Sequence, residues 1–146
     1  METNLNFINK LQAKQAFMKA YISVSFAQRV LLENVLNSIS TALKDSGIEP
    51  FIFVDKYKFQ PGQEKEMMQQ VMDEINQCDL LIAETSFKAI GVGIEAGYAK
   101  AKGKSVIYIR NISSEHSTTM SGISDMQVIY KNAEDLKQQL LQFLKG

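Results

Sequence analysis

Residues 79–109 read DLLIAETSFKAIGVGIEAGYAKAKGKSVIYI, and this stretch decides the fold. It contains uninterrupted apolar runs at 80–83 and 106–109, which are typical of strands that are buried on both faces. A glycine-bearing helix is predicted between them at about 91–102, and Gly103 is well placed to end it. Two strands joined through a helix over short connections lie parallel in one sheet.

The same alternation of strands and helices extends in both directions from this unit. Further strands are predicted at 18–25, 51–54 and 126–130, and further helices at 32–43, 63–77 and 133–145. Residues 1–17 contribute a helical extension with a weaker apolar pattern at 4–16. We therefore expect one α/β domain over residues 1–146, with about five mainly parallel strands between helices on both faces.

The composition bounds the possible partners and the compartment. Sixteen Lys and Arg residues balance sixteen Asp and Glu residues, so a dedicated binder of nucleic acid polymers, which is normally basic, is not expected. The single cysteine, Cys78, excludes an internal disulfide, and Cys and His do not have the spacing of a metal site. The sequence has no recognisable signal peptide and no apolar run of membrane-spanning length, so a cytoplasmic protein without a membrane partner is expected.

The candidate site lies where the predicted strands end. In parallel sheets ligands bind beyond the carboxyl ends of the strands, which here are the loops that follow residues 25, 54, 84 and 110. The loop after residue 84 leads into a helix start that carries glycines. Glycine allows backbone N–H groups to approach a ligand closely, and a helix start favours negative charge.

Glu95 is the candidate catalytic residue of this segment. A carboxylate at a glycine-rich helix start can meet the anomeric carbon that becomes cationic when a glycosidic bond breaks. The alternative is structural, since an acidic residue in the first turn stabilises its own helix through the dipole. The string at 91–96 also fits the dinucleotide pattern G-x-G-x-x-G/A, but it follows the third strand, and the charge of Glu95 would repel a pyrophosphate.

A family resemblance extends this interpretation. The segments 82–84, 91–99 and 103–104, with the first strand at 20–26 and residues 78–82, resemble the nucleoside 2-deoxyribosyltransferase family, nearest its 2'-deoxynucleoside 5'-phosphate N-hydrolases. The resemblance spans roughly residues 18–130, and its most specific element is G-x-G-x-E-x-G-Y-A at 91–99. It implies a flavodoxin-like (Rossmann-like) three-layer sandwich that cleaves or transfers at the N-glycosidic bond of a (deoxy)nucleoside or nucleotide.

The resemblance also implies roles for individual residues. Glu95 would be the nucleophile that forms a glycosyl–enzyme ester, and Tyr21 would hold this carboxylate or the sugar. The residues expected to bind sugar or phosphate are Ser23, Ser25, Ser86, Gly91, Gly93, Thr118 and Thr119. A homodimer or higher homo-oligomer is expected, with the polar loop 111–122 reaching a neighbouring pocket. The covalent step requires no cofactor or metal.

Three positions depart from the family pattern. Val71 stands where the family has an aspartate that helps to protonate the leaving base or orient the sugar, and valine does neither. Ala89 replaces a phosphate-binding serine, and Ala27 replaces an arginine. The candidates to compensate for these changes are Glu74, Arg29 and Ser86.

These departures leave two alternatives open. One is a non-catalytic nucleotide-binding or signalling module of the same fold, because binding survives the loss of an acid–base group. The other is a TIR-like NAD-cleaving domain, which Ser23-Val24-Ser25-Phe26 faintly resembles. Tyr57 and Phe59 either stack on a nucleobase or anchor their own loop. Cys78 is expected in the core and His116 at the surface.

Overall fold

The computed structural model describes residues 4–14 and 18–145. Across these residues the elements follow in the order α1 (Asn4–Lys14), β1 (Lys19–Ser23), α2 (Glu33–Asp45), β2 (Glu49–Ile52), α3 (Phe53–Lys56), α4 (Glu64–Gln77), β3 (Leu80–Glu84), α5 (Ile90–Ala101), β4 (Ser105–Asn111), α6 (Thr118–Ile123), β5 (Met126–Tyr130) and α7 (Ala133–Lys145). Two short 3-10 turns, at 26–28 and 30–32, connect β1 to α2. The predicted alternation of strands and helices is confirmed.

The strands form one parallel sheet in the order β2-β1-β3-β4-β5, which is the flavodoxin-like order. In this register Tyr21 of β1 lies beside Phe51 of β2 and Leu81 of β3. The chain leaves β1 towards β2 on one side and later returns to β3 on the other. This reversal opens a crevice at the carboxyl ends of β1 and β3, where such sheets bind ligands.

Two apolar layers cover the sheet, because successive side chains of a strand point to opposite faces. Ala20 and Ile22 point to the face that packs on α1, α2 and α7, and Phe7 of α1 is fully buried there. Tyr21 and Leu81 point to the other face, which packs on α4, α5 and α6. The predicted three-layer arrangement is therefore confirmed, and its second layer also contains the candidate site.

The second strand is shorter than the predicted strand at 51–54. β2 ends at Ile52, which pairs with Ile22, and β1 itself ends one residue later at Ser23. At Phe53 the chain leaves the sheet and turns into the one-turn helix α3. This turn buries the Phe53 ring on the α4–α5 side of the sheet.

The polar segment 111–122 is more ordered than a simple loop. β4 continues to Asn111, because β5 pairs with it as far as Tyr130. The short helix α6 then begins at Thr118, and the Ser117 hydroxyl caps it by accepting a hydrogen bond from the N–H of Met120 at 3.2 Å. Of the helices described, none is both long enough and apolar enough to cross a bilayer.

Candidate active site

Glu95 lies in the second turn of α5 and faces β1. The helix begins at Ile90, after an extended Ala89, so Glu95 is the sixth helical residue. The expectation that Glu95 occupies the first turn is wrong, because the helix begins before Gly91. Since the dipole effect falls off within the first turn, stabilisation of its own helix does not account for this carboxylate.

Two hydroxyl groups of β1 donate hydrogen bonds to this carboxylate. Tyr21 donates to Oε2 of Glu95 in a short hydrogen bond, and Ser23 donates to Oε1 at 2.7 Å. Residues 21 and 23 share a face of the sheet because they are two positions apart on one strand. The structure therefore brings together three of the predicted site residues, although they come from segments more than 70 residues apart.

The surroundings of Glu95 affect its ionisation in two opposing ways. Burial raises the pKa of Glu95 above its ordinary value, and the hydrogen bonds from Tyr21 and Ser23 lower it only in part. Burial and the neighbouring Glu95 carboxylate raise the pKa of Tyr21 strongly, so its hydroxyl keeps its proton and remains a donor. The site thus holds a half-buried carboxylate that two hydroxyl groups orient.

A chain of aromatic rings extends from Tyr21 to the loop after α3. The Tyr21 ring lies 5.6 Å from Phe51, which lies 6.5 Å from Tyr57. Phe53 stacks on Phe59 with centroids 6.1 Å apart and planes within 5° of parallel. Tyr57 and Phe59 are half-buried and so present part of their surface to solvent. The rings pack on each other, as expected of a loop anchor, and stacking on a nucleobase stays a prediction.

α4 contributes Val71 and Glu74 to the same side of the sheet. Val71 is 4% exposed and packs in the apolar layer with Tyr21 and Ile75. Glu74 is 5% exposed, its Oε1 accepts a hydrogen bond from the Tyr57 hydroxyl at 2.6 Å, and its Oε2 lies 3.7 Å from the Lys19 ammonium.

The environment of Glu74 favours its ionised form. Burial raises the pKa of this carboxyl, but the hydrogen bond from Tyr57 and the charges of Lys19 and Lys56 outweigh burial, and the pKa lies below its ordinary value. Glu74 is therefore an anion that holds its neighbours in place.

A cavity of about 490 Å³ lies on the other side of α5, between the β3–α5 loop and the segment before α6. Its lining includes three of the predicted binding residues, Gly93, Thr118 and Thr119, together with Ala89 and His116. Glu95 does not line it, because residues 93 and 95 point to different sides of the helix. The cavity and the Glu95 carboxylate therefore lie on different sides of α5.

Other predicted residues lie apart from Glu95. Ser25 is buried just beyond β1, and Gly91 is exposed on α5. The Ser86 hydroxyl donates to Glu84 Oε2 at 3.1 Å and accepts from the Asn111 N–H at 2.8 Å. Arg29, which was a candidate to compensate for the departures, is bound by the carboxylates of Asp55 and Glu33.

Sequence reasoning missed a second buried carboxylate, Glu84, at the end of β3. It is fully buried, and the Tyr130 hydroxyl donates to its Oε2 at 2.6 Å, while the Ser86 N–H donates to its Oε1 at 2.6 Å. Burial raises the pKa of Glu84, and these hydrogen bonds offset the rise only in part. A charged residue directly after four buried apolar positions was the available signal.

The chain is similar in sequence to a known protein family. The family model described as nucleoside 2-deoxyribosyltransferase matches residues 23–138 of the chain. No curated protein matches the chain. Among the residues that the structure describes, no three or more His, Cys, Asp or Glu side chains are grouped as a metal site requires.

Solved structures with the same fold include two enzymes whose reactions are named. A CMP N-glycosidase of Clostridium botulinum is 21% identical, with a TM-score of 0.62 over 84% of this chain and 97% of that one. A 2-deoxyribosyltransferase of Bacillus psychrosaccharolyticus is 15% identical, with a TM-score of 0.63 over 84% of this chain and 95% of that one. A conserved protein of Enterococcus faecalis is 19% identical, with a TM-score of 0.66 over 87% and 99% of the two chains. At these identities the likeness concerns the fold.

Proposed function

The chain belongs to the nucleoside 2-deoxyribosyltransferase family, enzymes that cleave or transfer at N-glycosidic bonds, and we propose that it does so through a glycosyl ester on Glu95. The observation that best supports this proposal is the pair of hydrogen bonds from Tyr21 and Ser23 to the Glu95 carboxylate. The carboxylate lies beside the end of β1, at the crevice where the strand order reverses.

In the proposed reaction Glu95 attacks the anomeric carbon while the bond to the base breaks. The transition state resembles an oxocarbenium ion, which a nearby carboxylate stabilises by its charge. The hydrogen bonds from Tyr21 and Ser23 direct the carboxylate oxygens and keep the side chain in one orientation. Water then releases the sugar, or a second base takes it up and the reaction becomes a transfer.

The proposed substrate is a nucleoside or nucleotide, and two features of the site fit its parts. The half-buried rings of Tyr57 and Phe59 offer a stacking surface for the base. The cavity lined by Gly93, Thr118 and Thr119 offers backbone and hydroxyl groups for the sugar or its phosphate. Ser86 acts indirectly in this proposal, because its hydroxyl ties the β3–α5 loop to β4.

The test is the release of free base from a panel of nucleosides and deoxynucleotides, followed by chromatography. Glu95→Gln should lower release by at least about 1,000-fold, since loss of a nucleophile removes the covalent route. Glu66→Gln, which changes an exposed glutamate of α4, is the matched control and should leave the rate unchanged. Mass spectrometry of the denatured enzyme should find one sugar on the peptide that contains Glu95. Base release at the wild-type rate by Glu95→Gln would overturn the proposal.

A second candidate, a nucleotide-binding module without turnover, is favoured by one observation. Val71 and Ala89 supply no acid or hydroxyl, and Ala89 lines the cavity. Calorimetry that detects nucleotide binding, together with the absence of base release and of any sugar adduct, would select this candidate over the enzyme.

A further inference from the structure

The hydroxyl groups around Glu95 direct their protons towards carboxylates. Tyr21 and Ser23 both donate to Glu95, and Tyr57 donates to Glu74. A proton held between a hydroxyl oxygen and an anion stabilises that anion. These three hydroxyls are therefore arranged to hold carboxylates in place, and they do not point towards a departing base.

Glu74, the other carboxyl on this side of the sheet, is held as an anion. Its Oε1 accepts hydrogen bonds from Tyr57 at 2.6 Å and from Gln70 at 3.3 Å, and its Oε2 faces the Lys19 ammonium. All three contacts stabilise the charged form, so Glu74 has no proton to give. Val71, one turn earlier on α4, is apolar and buried.

This arrangement matters because of how heterocycles leave a sugar. A neutral purine or pyrimidine departs as an anion unless its nitrogen receives a proton, and a positioned acid contributes typically about 10²–10⁴-fold. A heterocycle that is already cationic while it is bonded to the sugar departs as a neutral molecule. Such a leaving group needs a nucleophile but no acid.

We propose that this site acts on N-glycosides of cationic heterocycles, such as pyridinium nucleosides and N7-alkylated purine nucleosides. The inference rests on the proposed function, since it assigns a substrate class to the Glu95 nucleophile. As a Glu95 oxygen bonds to the anomeric carbon, the C–N bond breaks and its electron pair cancels the positive charge of the ring. No proton moves in this step. Water then hydrolyses the ester, which returns the Glu95 carboxylate and releases one proton to solvent.

The main test compares guanosine with 7-methylguanosine, which differ by one methyl group. Base release is assayed for each compound in its ribo and its 2'-deoxyribo form. Nicotinamide riboside and its 5'-phosphate are assayed as further cationic substrates. We expect kcat/KM for the 7-methylated compound to exceed that of its parent by at least about 100-fold, which is the lower range of what an acid would supply. Glu74→Gln should not selectively lower release from the parent compounds, and Glu95→Gln should abolish release from every compound.

The outcomes separate the inference from the proposed function. Parent and methylated compounds cleaved within tenfold of each other would overturn the inference, and so would a Glu74→Gln variant that loses activity on the parents alone. Either result leaves the Glu95 nucleophile intact. If no compound releases base, or if Glu95→Gln releases it as fast as the wild type, the proposed function itself fails.

Discussion

At the residue scale, the reactivity of Glu95 depends on a balance between burial and hydrogen bonding. Burial raises its pKa, and the donors on β1 counteract that rise. In the proposed reaction the carboxylate is the reactive form, so activity should be present above this raised pKa and should be lost as the pH falls through it. On this proposal Tyr21 and Ser23 set the acid limit of activity as well as the orientation of Glu95.

Tyr21→Phe should shift this acid limit to higher pH. The variant loses a hydrogen bond to a charged group, which contributes about 1.5–3 kcal/mol, so the apparent pKa of Glu95 should rise by about 1–2 units. The pH profile of kcat for base release measures the shift. Ser23→Ala is the comparison and should move the limit in the same direction. An unchanged acid limit in both variants would contradict the role given to these hydroxyls.

Glu84 gives a second prediction at this scale, now for stability. Tyr130→Phe removes a donor to a fully buried carboxylate and should cost about 1–3 kcal/mol, which lowers Tm by roughly 3–10 °C. The lost donor raises the pKa of Glu84 further in the folded state. The difference in Tm should therefore be largest above this pKa and shrink as the solution is acidified. A deficit that does not change with pH would assign the effect to packing alone.

The residues of the site were only partly predictable from the sequence. The local pattern of a glycine-bearing helix start indicated Glu95, whereas Tyr21 was indicated by the family resemblance alone. The contacts of Glu84 with Tyr130 and of Glu74 with Tyr57 join residues 46 and 17 positions apart. No local periodicity encodes such contacts, because they depend on which strands and helices become neighbours.

At the scale of elements, α4 carries an apolar residue, Val71, at the position where the family has an aspartate. Val71 lies in the same apolar layer as the Tyr21 ring, and Glu74 follows it by one turn on the buried face of the helix. An acid introduced at position 71 must therefore be dehydrated before it can act.

Val71→Asp should destabilise the fold by about 2–4 kcal/mol at neutral pH, because it buries a carboxylate in an apolar layer. Val71→Asn is the matched control, since it has the same shape without the charge. Because burial raises the pKa of the new aspartate, the excess loss of Tm in Val71→Asp should disappear at acid pH. Thermal unfolding of both variants at several pH values measures this. Equal stability of Val71→Asp and wild type at neutral pH would mean that position 71 is hydrated.

Elements with strong periodicity were predictable, and short ones were not. The buried strands β3 and β4 and the amphipathic helices α2, α4 and α7 each occur within a few residues of the predicted positions. α3 and α6 were missed, because four or six residues are too few for a helical pattern to show.

At the scale of the whole molecule, α5 presents apolar residues to solvent on the side away from the sheet. Ile90 is 85% exposed and Ile94 is 53% exposed, one turn apart on the same face, and Gly97 continues that face. Exposed apolar residues grouped in this way are typical of a contact surface. This agrees with the expected homo-oligomer and places α5 among the elements available to form it.

We expect the protein to have the mass of a dimer or larger in light scattering at micromolar concentration. Ile90→Lys should shift the mass towards the monomer, because a lysine cannot be buried against a second copy without cost. Ile129→Lys, which changes an exposed residue of β5, should not. A monomeric wild type would rule out the expected assembly, and an unchanged mass of Ile90→Lys would place the contact away from α5.

Tyr21 belongs to two structures at once, since its ring is part of the apolar layer and its hydroxyl donates a hydrogen bond to the Glu95 carboxylate. A change that adapts this residue to another substrate therefore also alters the packing between the sheet and α4. Selection for new substrates would act more readily on the β3–α5 loop and on the segment before α6, whose residues line the cavity and can vary without disturbing β1. Laboratory evolution of this enzyme should accumulate its substitutions there and leave position 21 unchanged.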